Sequence, residues 1–213
     1  MAVPTNWKDN NRHLQILRNA EKGRYGVIAA IAYNLEQIYG LVAAAEQAQS
    51  PLILQFFPWA VNYADGLLVR TAKESIRRAS VPISIHLDHA QDEKIIKYAA
   101  DNLPFDSIMY CHERGIATEA EPGRIEGAED GIGGRVRVAL HGTNGFPSDL
   151  MRQCIAAGAT KINVNKLVLD EYYMHLRHQV ARVPHTTLIE EGTYHVKRQT
   201  MEWMEICGSA GKA

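Results

Sequence analysis

Short apolar runs alternate along this chain with longer segments of helical period. Residues 26–33 are almost wholly apolar, as in a strand buried on both faces. Residues 35–49, rich in Ala, Glu and Gln, predict a helix with Asn34 as its N-cap. The alternation continues with a strand over 51–57, which carries Pro51 at its edge, and a helix over 62–79. A strand over 82–88, a helix over 92–101 and a strand over 105–110 follow. Order of this kind builds a parallel sheet with helical crossovers.

The rhythm then breaks. A strand over 116–121 begins after only Cys111-His112-Glu113-Arg114-Gly115, too little for a crossover, which takes about a dozen residues. The next strand, 135–140, follows a Gly-rich stretch with no helical period. Regularity returns with a helix over 147–157 closed by Gly158, a strand over 161–165 and helices over 166–182 and 188–207. A loose tail is expected over 208–213.

About seven strands are thus legible, with two broken crossovers. An α/β fold, the TIM-type (β/α)8 barrel in incomplete form, accounts for this as one domain over 1–213. Such barrels use eight strands in about 250 residues, with roughly 200 as the lower limit. The competing architecture is an open doubly wound sheet. Its usual Gly-rich turn after the first strand is missing, since Tyr33-Asn34-Leu35-Glu36 holds no glycine.

Composition narrows the function. The 23 Lys and Arg nearly balance 24 Asp and Glu, leaving a net charge of −1 and no basic field for nucleic acid or anionic membrane. The apolar runs fall short of the ~20 residues of a membrane span. The first residues lack the charged-then-apolar layout of a signal peptide, and Cys111, Cys154 and Cys207 form no disulfide framework. The expectation is a soluble cytoplasmic protein.

In a parallel barrel the C-terminal strand ends converge on one mouth. Here those ends carry Asp88-His89, Glu119 and Glu121, His141-Gly142, and Asn163-Val164-Asn165. Two imidazoles among carboxylates suit Zn²⁺, a borderline-soft ion. A single strand-end histidine is as readily a hydrogen-bonded polar residue. His13, His175, His178, His185 and His195 fall on predicted helices or loops and are expected to be solvated.

Four ordered motifs now stand out. They are Ile85-His86-Leu87-Asp88-His89, the stretch from Thr118-Glu119-Ala120-Glu121-Pro122-Gly123 to Glu129-Asp130-Gly131, Leu140-His141-Gly142, and Lys161-Ile162-Asn163-Val164-Asn165. Together they resemble the class II fructose-bisphosphate aldolase family over nearly the whole chain. The resemblance implies zinc-dependent, reversible cleavage of a ketose bisphosphate (fructose 1,6-bisphosphate) to dihydroxyacetone phosphate and glyceraldehyde 3-phosphate, in a homo-oligomer such as a dimer. It implies His89 and His141 as zinc ligands, Glu121 as a carboxylate of a second metal position, Asp88 as acid/base and Glu129 as the loop carboxylate that moves a carbon-bound proton. Loops after the last two strands commonly hold phosphate in such barrels, which makes Gly142, Thr143, Asn144, Asn163, Asn165 and Lys166 the substrate-binding candidates, Asn163 by family match and Lys166 equally readable as a solvated helix start. Strand alternation sets Asp88 and His89 on opposite faces, so both roles require His89 to lie already in the loop.

The chain also departs from the family pattern. Asn165-Lys166 replaces an acidic or small residue followed by Thr or Ser, and Gln55-Phe56-Phe57-Pro58-Trp59-Ala60 lacks a phosphate-binding serine. A further ligand histidine, in an Asn-Val-His-Gly-like motif before Arg135, is absent. The missing pieces coincide with the two broken crossovers, so internal segments have been lost. Two histidines hold a catalytic zinc weakly, since such sites usually have three protein ligands. The alternative function is therefore a catalytically impaired paralogue that binds a phosphate ligand or a partner. A metal-dependent barrel hydrolase is a third reading, disfavoured because the first strand end has no His-x-His pair.

Overall fold

The computed structural model describes residues 7–107 and 138–213. A short helix α1 (Trp7–Asn10) leads into α2 (Arg12–Gly23), then β1 (Val27–Ile31), α3 (Leu35–Ala48) and β2 (Leu52–Phe56). The chain continues through α4 (Pro58–Asn62), a 3-10 turn (Tyr63–Gly66), α5 (Leu67–Arg78), β3 (Ile83–Leu87) and α6 (Glu93–Asn102). After the undescribed interval come β4 (Val138–Leu140), α7 (Ser148–Ala156), β5 (Ala159–Val164), α8 (Lys166–Gln179) and α9 (His185–Ile206). The expected strand over 116–121, and parts of those over 105–110 and 135–140, lie outside the described residues.

All described strand pairs are parallel, in the order β3-β2-β1-β5-β4. A bridge from His86 to Ser107 extends the array beyond β3. Each step, from β1 to β2 to β3 and from β4 to β5 to β1, goes the same way around. A doubly wound sheet reverses direction at its middle. The single sense of winding is that of a barrel, and β5 closes back onto β1 as a last strand onto a first.

Two apolar clusters occupy the two faces. Outward residues of the strands, such as Ile28, Leu54, Ile83 and Ile162, pack with Ile38 and Leu41 of α3, Val69 and Ala72 of α5, and Val168 of α8. Inward Val27, Ala29 and Ile53 pack with Ile16, Leu17 and Ala20 of α2. Helix α2 thus covers the end of the array where the strands begin. Asn11 caps it by accepting from the Leu14 amide at 3.0 Å, and Arg12 Nη1 donates to the Ile83 carbonyl at 3.3 Å. This helix carries no strong signal in the strand rhythm and is an addition to the expected elements.

Two expectations are corrected. The single helix over 62–79 is broken, because Ala64, Asp65 and Gly66 take left-handed backbone (φ +49°, +53° and +70°). The tail is not loose: Ser209 is fully buried and meets Ser50 Oγ at 2.9 Å, and the amides of Gly211 and Ala213 bond to the carbonyls of Ala48 and Gln49. Asn34 does cap α3, accepting from the Gln37 amide at 2.9 Å.

Candidate active site

The site is built from loops that leave the C-terminal ends of β3, β4 and β5. Strand β3 stops at Leu87, and His89 has φ +53°, a left-handed conformation uncommon for a residue with a Cβ. That backbone turn brings His89 round to the side of Asp88, so alternation no longer separates them. His89 Nε2 lies 3.6 Å from Asp88 Oδ2, and His86 Nε2 lies 3.7 Å from Oδ1. The Asp88 carboxylate is buried, whereas the His89 side chain is 45% exposed. Burial opposes ionisation of Asp88, but His86, buried Lys161 and His89 outweigh it and hold the carboxyl below its ordinary value.

From the end of β4, His141 brings its ring edge-on to that of His89, with centroids 5.4 Å apart. Asn163 of β5 sets its amide nitrogen 3.2 Å from the His141 ring nitrogens. The amide oxygen of Asn163 is buried and has no hydrogen-bond partner among the described residues. Phe57, at the end of β2, closes the other side of His89 with centroids 5.5 Å apart. Trp59 stacks on Tyr63 and remains 48% exposed at the rim.

The expected phosphate-binding residues also meet, though several side chains are spent on one another. Thr143 Oγ1 donates to the Asn163 carbonyl at 2.6 Å and is buried. Asn144 Oδ1 accepts from the Lys166 amide at 3.1 Å, capping α8, and Asn165 Nδ2 donates to Tyr33 Oη at 3.0 Å. Gly142 and Gly145 have φ +68° and +81°, and a Cβ at either would meet nothing within 4 Å among the described residues, so a ligand has room on that side of the backbone. The Lys166 side chain is at the exposed start of α8.

The structure therefore gathers Asp88, His89, His141 and Asn163, with the β4 and β5 loops beside them. Glu121 and Glu129 lie outside the described residues. Sequence reading missed His86 and Lys161, both almost fully buried, and expected His13 and His175 to be solvated. His13 is 2% exposed, and the His175 side chain 7%. Alternation from Asp88 back to His86 and Ser84 was the signal that could have found the first of these.

The two imidazoles fit a borderline-soft divalent ion as a pair of ligands. Among the described residues no group of three or more His, Cys, Asp or Glu stands together as a metal site. No described helix is long and apolar enough to cross a membrane.

Comparison with known proteins settles the family. The profile described as fructose-bisphosphate aldolase class-II matches residues 11–110 and 132–212. The interval 111–131 between them, which holds Glu121 and Glu129, is unmatched. A Coccidioides immitis protein assigned to the fructose-bisphosphate aldolases is 35% identical over 288 aligned positions, covering 96% of this chain and 95% of that one. The fructose-bisphosphate aldolase of Geobacillus stearothermophilus is 25% identical, covering 93% and 97%. A crystal structure of the Coccidioides protein superposes with a TM-score of 0.90 at 37% identity, over 97% and 98% of the two chains. The YdjI aldolase of Escherichia coli K12 shares the fold, with a TM-score of 0.83 at 21% identity over 95% and 98%.

A parallel array wound as a barrel, with paired imidazoles and a buried carboxylate at its strand ends, defines a class of barrel enzymes. Within it, this chain belongs to the class II fructose-bisphosphate aldolase family, whose members are aldolases and generally metal-dependent. Since 288 aligned positions exceed the 213 residues available, the relative carries segments without a counterpart here.

Proposed function

We propose that this protein catalyses the reversible aldol cleavage of a ketose bisphosphate, fructose 1,6-bisphosphate being the substrate the family suggests, with Zn²⁺ as cofactor. The observation that carries this reading is the edge-on pair His89 and His141 beside the buried carboxylate of Asp88, at the strand ends of a barrel of this family. His89 and His141 are the proposed ligands, with Glu121 at a second metal position. When bound, the ion acts as a Lewis acid on the ketone oxygen, so that no Schiff-base lysine is required.

The chain's own groups then have definite tasks. Asp88, held ionised at its site, accepts the proton of the hydroxyl on the carbon whose C–C bond breaks, and returns it in the aldol direction. The buried Asn163 oxygen, unpartnered among the described residues, supplies an acceptor for a substrate hydroxyl. The open backbone at Gly142 and Gly145 and the Lys166 side chain receive the phosphate of the dihydroxyacetone phosphate half. Glu129 is the proposed carrier of the carbon-bound proton.

The test is cleavage of fructose 1,6-bisphosphate by the purified chain, its intact mass verified as 23.8 kDa. Activity that vanishes with a chelator and returns with added Zn²⁺ is the expected result. Cleavage indifferent to chelation sinks the zinc mechanism. Complete inactivity moves the protein to the impaired, ligand-binding reading.

A further inference from the structure

The inside of a (β/α)8 barrel is ordinarily filled by branched apolar side chains. Here the inward face carries Gln55 of β2, Ser84 and His86 of β3, and Lys161 and Asn163 of β5. Gln55, Ser84, His86 and Lys161 are each 2% exposed or less. Burying so many polar groups is costly unless they serve one another or a site.

Part of this group forms a column. At the base, His13 of α2 places Nδ1 3.0 Å from Ser84 Oγ. Its ring lies nearly parallel to that of His86, 23° between planes and 5.5 Å between centroids. His86 in turn places Nε2 3.7 Å from Asp88 Oδ1. Ser84, His86 and Asp88 are alternate residues, so a straight strand aligns them on one inward face. The column thus ends on the carboxylate assigned to proton transfer, on the side away from the mouth.

We propose that His86 is a positioning residue: its ring, steadied from below by His13 and Ser84, holds Asp88 Oδ1 so that Oδ2 faces His89 and the substrate. This rests on the aldolase reading above for its kinetic consequence, but not for its geometry. His86 does not reach substrate and takes no part in bond making. Its contribution is to keep the carboxylate in one orientation beside the half-exposed ring of His89.

Three full-length variants test this. His86→Phe keeps a flat ring against His13 and removes both nitrogens. His86→Gln restores an N–H near the place of Nε2. Ser84→Ala releases His13 without touching His86. His86→Phe is expected to lower kcat for ketose bisphosphate cleavage by about 10- to 100-fold, the loss typical when an outer partner of a site residue is removed, with little change in KM. His86→Gln is expected to recover most of that loss, and a crystal structure of His86→Phe to show the Asp88 carboxylate turned from its present place. A wild-type kcat in His86→Phe, a raised KM at unchanged kcat, or an unmoved Asp88 overturns the proposal. If His86→Phe does not fold, Ser84→Ala decides: a lowered kcat with a displaced His86 upholds positioning, and an unaltered site overturns it. A wild-type chain that cleaves no ketose bisphosphate defeats the aldolase reading alone. The position of Asp88 in the variant structure then still decides the proposal, upheld if displaced and overturned if not.

Discussion

His89 reaches the mouth because its backbone leaves the extended region one residue after Asp88. A non-glycine residue in that conformation costs on the order of 1 kcal/mol, a strain retained where the side chain must point one way. Strand periodicity cannot announce such a turn, so Asp88 and His89 were legible as chemistry but not as neighbours. Lys161 was opaque for another reason: a lysine in an apolar strand reads as an edge or a mouth residue, and its burial depends on β1, β4 and α2 arriving from elsewhere. Buried thiols follow a simpler rule. Burial pushes the Cys207 thiol up to about 12, so almost none is thiolate near neutral pH. Alkylation of the native protein near neutral pH, followed by peptide mapping, is expected to modify part-exposed Cys154 while sparing Cys207 until the protein unfolds. Equal labelling of both would contradict the packing around the end of α9.

Helices α8 and α9 lie against each other and α9 also covers α3, so their shared face holds the last third of the chain in place. Glu171 of α8 joins them: Oε2 lies 3.1 Å from His195 Nδ1, and Oε1 accepts from Arg198. Partial burial works against its ionisation, but Arg198 and His195 prevail and keep its carboxyl below the usual range. A depressed acid favours the folded state above the ordinary carboxylate pKa, and that advantage is lost as pH falls through the lowered value. Glu171→Gln is therefore expected to cost up to about 1 kcal/mol near neutral pH, the pair being partly exposed, and to lose less stability than the wild type on acidification. Urea titrations at pH 7 and near pH 3 measure both effects. Elements with strong apolar periodicity, such as α3 and β1 to β3, were legible within a residue or two. The break at Ala64–Gly66 was not, because apolar spacing runs across it and only Gly66 hints at a turn. The tail was misread since Gly and Ser suggest looseness, while its order comes from Ser50, Ala48 and Gln49 far away in sequence.

At the scale of the molecule, the interrupted rhythm of crossovers correctly pointed to an incomplete barrel, and the one-way winding excludes the doubly wound alternative. The inside was legible only in part: polar residues alternate with apolar ones in β3 and at the ends of β2 and β5, whereas β1 is apolar on either side of its pleat. The winding also ranks the strands by protection. Strand β1 lies between β2 and β5, whereas β4 has three residues, pairs with β5 alone among the described strands and leaves Val138 53% exposed. Native-state hydrogen exchange is expected to be slowest for the amides of β1 and β2 and markedly faster for β4. Uniform exchange across the sheet would argue against this arrangement.

The closure of β5 onto β1 has a consequence in time as well as in space. Ala29 pairs with Ile53 on one side and Asn163 on the other. During synthesis at roughly 5–20 residues per second, the first partner appears within seconds, but the second follows only after on the order of ten more. Through that wait β1 presents an open hydrogen-bonding edge to every other nascent chain nearby. The emerging protein is thus most exposed to mispairing before its last strand leaves the ribosome, and anything that slows translation between these two partners lengthens that exposure.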